Sequence, residues 1–552
     1  MSEPFLTITP LGGLGEVGLN CQMWETERGM VLVDCGLMFP DDLQLGVDVV
    51  IPPLDPILER REQLRGVILT HGHEDHIGAA PWLLSYLDGL TPLYGSPFTL
   101  SLVEHKLRER GLTDRAQLVP VTPRDKVQLG DLRFNFLPVS HSIPQGYALA
   151  VESPVGRVVH TGDFKVDAGS AYGLDGQGTD LAAFREFAGQ GARLLLSDST
   201  NIELAGHSCP EGVVKETLRN IFASAGGRIV LTLFSSHIER IQSVFEMARM
   251  FNRAVIISGR SLVNNIEKAQ EHGFLQHPPQ LYTDQAVPDL PPGRVVILAT
   301  GSQGEPWSAL ARIAAGGHRH LDIQEGDAVI MSSRAIPGNA QAVNRLINQM
   351  CKLGARVMHE GVHATGHGHR EELQAMLAAV RPEIFVPIHG EYRHLARHRD
   401  LALECGVAPG KALMLDDGQP LTLYRDRFEL GGRIPAESLL VDGKGVGDVG
   451  ALILRERQLL GSAGVVVASL VLDAETGELL HGPDLVSRGF VFTRHFEHVL
   501  DEAKGLVLDQ LADRPEGEDS ARLGERLRSS LRGFFRKAVG RDPVVLPIIT
   551  RI

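Results

Sequence analysis

Short apolar runs alternate with turns along the first 165 residues of the chain. The runs include FLTITPL, MVLVDCG, GVILTHG, LRFNFLPVSH and RVVHTGDF, which end at Gly, Asp, Ser or His. Such runs are typical of strands, and the patterns at residues 80–88 and 98–110 favour helices. Strands interspersed with helices, with polar residues at the strand ends, predict a layered α/β or α+β domain.

The pattern changes between about residue 206 and residue 360. The segments GGRIVLTLFSS, RAVIISGRS, GRVVILATGSQGEP and DAVIMSSRAIPGN are continuous apolar runs that end in Gly, Ser or Thr, and helical segments separate them. This alternation predicts a buried parallel sheet, whose ligands bind at the carboxyl ends of the strands. Hydroxyls and backbone amides at those ends suit phosphate. We therefore predict a second domain inserted into the first.

The remaining sequence completes the predicted organisation. A His-rich loop, an amphipathic helix and a strand that ends at His389 follow the inserted segment, and a Gly-rich stretch precedes a small C-terminal α/β domain. The predicted divisions are 1–205 for the first part of the first domain, 206–360 for the inserted domain, 361–428 for the second part of the first domain, 429–449 for a linker, and 450–552 for the C-terminal domain.

The segment GLGEVG, residues 13–18, matches the G-x-G-x-x-G fingerprint of dinucleotide-binding folds. That fingerprint needs a helix directly after it. The residues that follow here predict two strands around a Glu-Arg-Gly turn. We therefore expect a Gly-rich turn that lets the backbone approach another segment closely.

Composition narrows the class of protein. With 552 residues, the chain can form about three domains. No apolar run is long enough to span a membrane, and the N-terminus has no secretory signal pattern. The five cysteines form no C-x-x-C pair, which argues against a disulfide framework or a thiolate zinc site and favours the cytoplasm. A net charge of −14 argues against nonspecific coating of nucleic acid, but it does not exclude a nuclease with local cations.

The segment LTHGHEDHIGA, residues 69–79, carries the strongest chemical signal. Four candidate ligands lie in six positions after a predicted strand, so His71 and His73 can turn toward one ion while Asp75 and His76 turn toward another. Imidazole and carboxylate ligands without thiolate suit Zn²⁺ or Mn²⁺. The alternative is an exposed polar cluster that binds no metal.

Three later residues share the context of a polar side chain at the end of an apolar strand. They are His141, Asp163 and His389. Each one alone could be an ordinary turn residue. As an ordered set with residues 71–76 they predict a two-metal site, in which a carboxylate such as Asp163 bridges the cations and water is activated as a nucleophile.

HGHEDH, followed by His141 and by TGDF with Asp163, resembles the metallo-β-lactamase superfamily. That resemblance implies an αβ/βα sandwich. Asp34, at the end of MVLVD, is similar to an early acidic motif of the superfamily and is expected to orient the ligand loop. Small-molecule hydrolases share this fold, so a metallo-hydrolase of that type is one alternative.

The inserted domain resembles the β-CASP nucleases. Asp198 in SDSTN, His367 in HATGHG and His389 in PIHGE are similar to the three further motifs of that group, as are FSSHIERIQ, GRS, TGSQGEP and SSRAIPGN. With its linker and small C-terminal domain, the chain resembles the bacterial ribonuclease J family from end to end. A DNA-processing β-CASP nuclease is the nearer alternative; the histidine at position 389 argues against it.

The resemblance implies a metal-dependent ribonuclease that acts on single-stranded RNA in mRNA decay and rRNA maturation. It implies 5′-to-3′ exonuclease action that prefers a 5′-monophosphate, together with endonuclease action. Two divalent ions are expected, Zn²⁺ first, with Mn²⁺ or Mg²⁺ as alternatives. One ion would be held by His71, His73 and His141, and the other by Asp75, His76 and His389, with Asp163 bridging. His367 would contact the scissile phosphate and either stabilise developing charge or protonate the leaving oxygen. Asp198 would hold either a neighbouring ligand or His367 itself in place.

Further expectations concern RNA contacts and partners. The candidate phosphate contacts are Ser235, Ser236, His237, His363, Ala364, Thr365, Gly366 and His367. The chain departs from the usual family pattern at Ser236, His237, Ala364 and Thr365. Arg334 adds a cation near the expected RNA path, and it is either a phosphate contact or a solvated surface arginine. Asp48 in PDDLQLGVD could hold a structural cation, with an exposed acidic turn as the alternative. We expect a homodimer or homotetramer that forms through the C-terminal domain, and protein partners in an RNA-decay complex. No association with a membrane is expected.

Overall fold

The architecture comes from a computed structural model. It describes residues 3–123, 125–166, 178–285, 289–305, 307–334, 339–443, 445–490, 493–515 and 517–552, with the backbone alone at 493–497. Pro306 of TGSQGEP and residues 335–338 of SSRAIPGN lie outside the described residues. The contacts divide the chain into two compact units: Met1–Met38 with Val50–Leu439, and Phe39–Val49 with Leu440–Ile552.

Two mixed sheets form the sandwich of the larger unit. The first has the strand order Phe428–Leu430, Leu421–Leu423, Leu6–Gly12, Cys21–Thr26, Gly29–Val33, Leu64–Ile68, Thr91–Gly95 and Ala116–Pro120. The second has the order Ile384–Ile388, Leu194–Asp198, Gly156–His160, Gly146–Ser153, Leu132–Val139 and Lys126–Leu129. Apolar side chains of both sheets share one buried core, so the expected αβ/βα sandwich is confirmed.

Sequence alternation explains which face of each strand is buried. In Leu132–Val139, for example, Leu132, Phe134 and Phe136 point into the core between the sheets, because successive side chains of a strand point to opposite faces. The ring centroids of Trp24 and Phe134 lie 6.2 Å apart across the two sheets. Burying one large apolar side chain of this kind contributes about 1.5–3 kcal/mol.

Helices cover the outer faces of the sandwich. The outer face of the second sheet packs against Leu181–Ala188, Arg370–Val380 and Tyr392–Glu404. The other helices are Asp55–Leu58, Glu74–Ile77, Ala80–Tyr86 and Pro97–Glu109. The last of these begins where the sequence predicts it, because the Ser96 hydroxyl accepts a hydrogen bond from Thr99 N and Pro97 takes the first helical position.

The inserted region contains a six-stranded sheet in which every pairing is parallel. Its order is Leu281–Thr283, Ala254–Ser258, Val295–Ala299, Ile229–Thr232, Ala328–Met331 and Arg356–Met358. The associated helices are Glu211–Ser224, Ile238–Met250, Arg260–Glu271, Ala309–Ala314 and Ala340–Lys352. The prediction of a buried parallel sheet is confirmed, and the central strands are buried along their whole length.

The smaller unit contains a three-stranded sheet in the order Leu479–Arg488, Val465–Leu472 and Val544–Arg551. Thr493–Ala512 and Ser520–Val539 pack against one face of it, and Ala451–Ala463 is a further helix. The predicted linker contains the short strands Leu439–Asp442 and Gly445–Val446. Among the described residues, no helix combines the length and the apolar character that crossing a membrane requires.

Candidate metal centre

Backbone hydrogen bonds hold the loop that carries His71, His73, Asp75 and His76. The loop follows the strand Leu64–Ile68 and enters the short helix Glu74–Ile77. Three amides bond to its carbonyls: Asn20 N to Asp75 O (3.0 Å), Cys35 N to His76 O (2.8 Å) and Leu37 N to Glu74 O (3.0 Å). A Cβ added at Gly36 would stand 1.7 Å from the Asp75 carbonyl oxygen. Only glycine therefore fits where these segments meet.

The first ligand group consists of His71, His73, His141 and Asp163, whose candidate ligand atoms lie within 4.8 Å of one another. His73 Nδ1 lies 3.1 Å from His71 Nε2 and 3.0 Å from His141 Nε2. Asp163 Oδ2 lies 3.7 Å from His71 Nε2 and 3.8 Å from His141 Nε2. The structure therefore brings together the four residues that the sequence assigns to one ion.

Hydrogen bonds fix which imidazole nitrogens can bind a cation. His141 Nδ1 donates to Gly366 O at 2.7 Å. The Thr70 hydroxyl donates to Asp34 and lies 3.1 Å from His71 Nδ1, from which it can accept. Both Nε2 atoms consequently present lone pairs to His73 Nδ1, which can carry only one proton. One proton cannot satisfy both lone pairs, whereas a divalent cation among these nitrogens can accept all of them. This donor set therefore fits a metal.

The second ligand group consists of Asp75, His76, Asp163 and His389. Asp163 Oδ2 lies 3.3 Å from His76 Nε2, and Asp75 Oδ2 lies 3.2 Å from His389 Nε2. His76 Nδ1 donates to Asp34 Oδ2 at 2.8 Å, which turns Nε2 toward the group. Asp163 belongs to both groups, so it has the position that a bridging carboxylate requires.

His389 has a backbone φ of +53°, a left-handed conformation that costs a non-glycine residue about 1–3 kcal/mol. Its amide donates to Gly13 O at 3.1 Å, and the next residues, Gly390–Glu391, pair with Leu14–Gly15. The GLGEVG segment is thus the expected close-approach turn. The strand Cys21–Thr26 follows it where a dinucleotide fold would have a helix.

Asp198 connects His367 to the centre. Its Oδ2 accepts from His367 Nδ1 at 2.8 Å, and its Oδ1 accepts from the Thr200 hydroxyl at 2.8 Å. That hydroxyl lies 2.7 Å from His389 Nδ1, from which it can accept a hydrogen bond. The His367 side chain is 19% exposed, whereas that of Asp198 is 1% exposed. His367 is therefore the histidine of this group that a substrate can reach.

The two groups differ in electrostatics. Burial lowers the pKa of His73 to about 4 and holds the pKa of His71 and of His141 well below its ordinary value. Burial also lowers the pKa of His389, but Asp163 and the neighbouring carboxylates raise it to about 10. The second group is thus the more negatively charged environment.

The loop that carries Ser235, Ser236 and His237 follows the parallel strand Ile229–Thr232. Both serines are half-buried, and His237 is buried. His237 caps the helix Ile238–Met250, because its Nδ1 accepts from Arg240 N at 3.4 Å. Burial, and then Arg240, hold its pKa well below the ordinary value. The structure gives His237 a capping role, and its phosphate contact stays a prediction.

The run from His363 to His367 lies beside the first ligand group. Ala364 is buried, and the Thr365 hydroxyl accepts from Asn201 Nδ2 at 2.7 Å. A Cβ at Gly366 would lie 2.6 Å from His141 Cε1. The buried Nδ1 of His363 has no hydrogen-bond partner among the described residues. This run therefore reaches the centre through the Gly366 backbone.

Arg240 and Thr200 are functional candidates that sequence reasoning missed. Arg240 is fully buried, pairs with Glu211, and donates from Nη1 to Val362 O at 2.6 Å, directly before the His363 run. An arginine between apolar positions of a predicted helix was the available signal. For Thr200 the sequence carries no comparable signal beyond its place in SDSTN.

Asp34, Asp48 and Arg334 differ in their relation to the centre. Asp34 contacts the ligand loop through Thr70 and His76. Asp48 Oδ2 accepts from Gly443 N at 2.8 Å. Among the described residues, it belongs neither to the two ligand groups nor to the third cluster that could hold an ion, which consists of Asp163, Asp198, His367 and His389. Arg334 is exposed. The roles of Asp48 and Arg334 stay predictions.

Comparison with known proteins agrees with this geometry. The chain is 39% identical to Ribonuclease J of Thermus thermophilus, with 99% of this chain and 95% of that protein covered. The chain belongs to the ribonuclease J family. It is also 34% identical to Ribonuclease J 1 of Streptococcus pyogenes, over 98% of this chain and 96% of that protein. For Ribonuclease J of Corynebacterium glutamicum the identity is 36%, over 99% of this chain and 76% of that protein.

Four family descriptions match successive parts of this ribonuclease J family member. They are the metallo-beta-lactamase superfamily at residues 15–196, the ribonuclease J beta-CASP domain at 226–350, the Zn-dependent metallo-hydrolase RNA specificity domain at 354–408, and the ribonuclease J C-terminal domain at 452–552. A crystal structure of an Enterococcus faecalis protein of unknown function shares the fold, with a TM-score of 0.51 and 16% identity over 76% of this chain and 100% of that one.

Proposed function

We propose that this member of the ribonuclease J family, a metal-dependent ribonuclease, degrades single-stranded RNA from a 5′-monophosphate in the 5′-to-3′ direction and also cleaves internally. Both modes would use one site and serve mRNA decay and rRNA maturation in the cytoplasm. One observation carries the proposal. Two ligand groups share Asp163, and the partly exposed His367, which is hydrogen-bonded to Asp198, lies beside them.

The residues present fit two divalent cations, Zn²⁺ first and Mn²⁺ or Mg²⁺ as alternatives. Bound there, such cations supply Lewis acidity for a phosphoryl oxygen and lower the pKa of water. The proposed ligands of the first are His71, His73, His141 and Asp163, and those of the second are Asp75, His76, His389 and Asp163. The chain's own contribution is to orient these side chains through Asp34, Thr200 and the Gly366 carbonyl.

His367 is the proposed proton donor. Its Nδ1 proton is held by Asp198, so Nε2 is the atom that can meet the scissile phosphate or the leaving oxygen. Burial lowers the pKa of His367, but Asp198 raises it above the ordinary value. A ring that keeps its second proton near neutral pH can donate that proton from Nε2 or stabilise developing charge.

A 5′-phosphate needs donors at a fixed distance from the scissile bond. The proposed donors are the Ser235 and Ser236 hydroxyls and the His363–His367 run. Asn201 holds the Thr365 hydroxyl in place, and Arg240 ties Val362 to the inserted sheet. Hydroxyl and amide donors can bind a terminal phosphate without many lysines, which reconciles RNA binding with a net charge of −14.

Assembly is also part of the proposal. The C-terminal domain would mediate a homodimer or a homotetramer, and protein partners would be those of an RNA-decay complex. Analytical ultracentrifugation of the whole chain, beside a chain that ends at Asp442, tests the first point. A shortened chain with the same oligomeric state would contradict it.

The decisive experiment compares single-stranded RNA that carries a 5′-monophosphate, triphosphate or hydroxyl, in added Zn²⁺ or Mn²⁺. We expect mononucleotide release with preference for the monophosphate. Asp75→Ala should abolish cleavage and largely keep RNA binding, while the exposed Asp88→Ala serves as the matched control. Full activity of Asp75→Ala, or no RNA cleavage with either ion, would contradict the proposal. Cleavage of 2′-deoxy substrates alone would indicate a DNA enzyme.

A further inference from the structure

Trp307 is an exposed aromatic side chain in a protein that buries its other tryptophans. The chain has three tryptophans. Trp24 is 0% exposed, Trp82 is 8% exposed and Trp307 is 89% exposed. An exposed indole leaves a large apolar face in water, and exposed aromatic residues are enriched where proteins bind other molecules. Isolated apolar residues also occur on ordinary surfaces. Whether Trp307 belongs to a binding site therefore depends on its position in the fold.

Trp307 lies at the ligand-binding edge of the inserted sheet. It follows the strand Val295–Ala299, which pairs in parallel with Ile229–Thr232 so that Ala299 lies opposite Thr232. Parallel strands place their carboxyl ends at the same edge. The loops with Trp307 and with Ser235 and Ser236 therefore leave the sheet side by side.

The same edge leads to the candidate metal centre. Ile229–Thr232 also pairs in parallel with Ala328–Met331, and Ser332 directly follows that strand. The Ser332 hydroxyl donates to Val362 O at 2.5 Å, and His367 lies five residues further along the chain. One sheet edge therefore carries the candidate phosphate donors, Trp307 and the start of the His363–His367 run.

Described residues on either side of Trp307 form hydrogen bonds. Ser308 N donates to Glu305 O at 3.1 Å, and the Ser308 hydroxyl donates to the same oxygen at 2.7 Å. Gln303 Nε2 donates to Arg334 O at 3.0 Å, which joins this loop to the neighbouring one. These bonds hold residues next to Trp307, and a segment that is already ordered loses less conformational entropy on binding than a mobile one.

We propose that Trp307 is a stacking platform for a base of the single-stranded RNA substrate. The inference rests on the proposed function and adds a contact to the bases. Stacking accepts any base, as a nuclease without sequence preference requires. It also needs no positive charge, which suits a chain of net charge −14.

Intrinsic fluorescence gives a direct test. An Asp75→Ala chain is titrated with 5′-monophosphorylated single-stranded RNA, and tryptophan emission is recorded. Trp24 and Trp82 are buried, so we expect quenching that is present with Trp307 and lost in Asp75→Ala/Trp307→Phe. Equal quenching in both chains, or none at saturating RNA, would overturn the proposal.

Affinity gives the second test. Trp307→Ala should weaken RNA binding about 5- to 150-fold, and Trp307→Phe should weaken it less. Tyr86→Ala, another exposed aromatic in the same unit, is the matched control. The salt dependence of Trp307→Ala should equal that of the parent, whereas loss of a phosphate contact reduces it.

The outcomes separate the two proposals. If Trp307→Ala binds RNA within twofold of the parent while the parent cleaves RNA normally, the stacking proposal is wrong and the proposed nuclease function is unaffected. The indole then belongs to a protein contact or to an ordinary surface. If the parent neither binds nor cleaves RNA with either ion, both proposals fail. Identical thermal unfolding of parent and variant excludes misfolding as the cause.

Discussion

The two ligand groups share Asp163 but differ in composition. Beyond that carboxylate, the first group has three imidazoles with strongly lowered pKa values. The second adds the Asp75 carboxylate and two histidines whose pKa is raised, because the nearby carboxylates outweigh the effect of burial. Nitrogen ligands favour Zn²⁺, whereas added carboxylate makes Mn²⁺ or Mg²⁺ acceptable. The two adjacent ligand groups can therefore prefer different ions.

The two groups also differ in the hydrogen bonds that orient their side chains. The first is oriented through one carbonyl, that of Gly366, and through the Thr70 hydroxyl. The second is oriented through two buried carboxylates, Asp34 on His76 and Asp198 by way of Thr200 on His389. A carboxylate partner raises the basicity of a histidine ligand. We expect the second group to depend more strongly on residues that do not themselves touch an ion.

Asp163→Asn should have the largest effect, because one change removes the carboxylate common to both groups. An amide cannot bridge two cations as a carboxylate does. We expect RNA cleavage to fall by at least about a thousandfold, since metal ions supply several kcal/mol of charge stabilisation. Bound metal, measured by elemental analysis, should drop in both sites. Retention of one full equivalent would contradict the sharing of Asp163.

Changing one group at a time tests the asymmetry. His73→Ala should weaken Zn²⁺ binding at one site and spare the other, whereas His389→Ala should do the reverse. Calorimetric titration of each variant with Zn²⁺ and with Mn²⁺ gives the two affinities separately. If both variants lose the same ion to the same extent, the two groups are equivalent and the comparison is wrong.

Sequence reasoning predicts which side chains meet at the candidate centre, because each lies at the end of a recognisable apolar strand. His141, Asp163 and His389 have that context, and the structure places all three beside residues 71–76. The parallel inserted sheet is equally predictable, since its strands are apolar along their whole length. Both inferences need only local pattern and chain order.

The supporting contacts are harder to predict because they depend on tertiary geometry. Thr200 lies 189 positions from His389, yet its hydroxyl is 2.7 Å from that ring. The sequence predicts a phosphate contact for His237, which stays a prediction, but it does not indicate that this buried side chain caps the helix Ile238–Met250. The division of the chain shows the same limit, since residues 39–49 belong to the smaller unit although they lie within the first predicted domain.

Asp34→Asn should produce an intermediate effect that falls mainly on the second group, because the asparagine side-chain oxygen can still accept from Thr70, which orients His71 of the first group. Asparagine fits the left-handed backbone, φ +60° at this residue, but it loses the charge that accepts from His76 Nδ1. Changes of this kind cost about 10- to 100-fold in metal affinity or activity. The loss should be visible as weaker binding of one ion in the same calorimetric titration. An equal loss at both sites would mean that Asp34 acts on the whole loop and not on His76.

The last expected effect is on stability and not on cleavage, and it concerns a partly buried carboxylate outside the centre. Histidines lower the pKa of Asp75 and Asp198 in spite of burial. At Asp417, burial and then Glu16 raise the pKa to about 7, and Oδ1 accepts no hydrogen bond from the described residues. Carboxylates that are wholly or partly buried thus titrate in opposite directions, according to whether histidines or another carboxylate face them.

Asp417→Asn turns this contrast into a pH experiment. The folded chain keeps the Asp417 proton up to about pH 7, whereas the unfolded chain releases it near pH 4, so the free energy of unfolding should fall as pH rises through that window. The decrease is at most about 4 kcal/mol, and the asparagine variant should lack it. Thermal unfolding of both chains with chelator at about pH 5 and pH 8 measures the difference, because all other titrating groups are shared. If the variant has the same pH dependence as the parent, Asp417 is ionised in the folded chain. A partly buried carboxylate at this place would then stay charged without a neighbouring histidine.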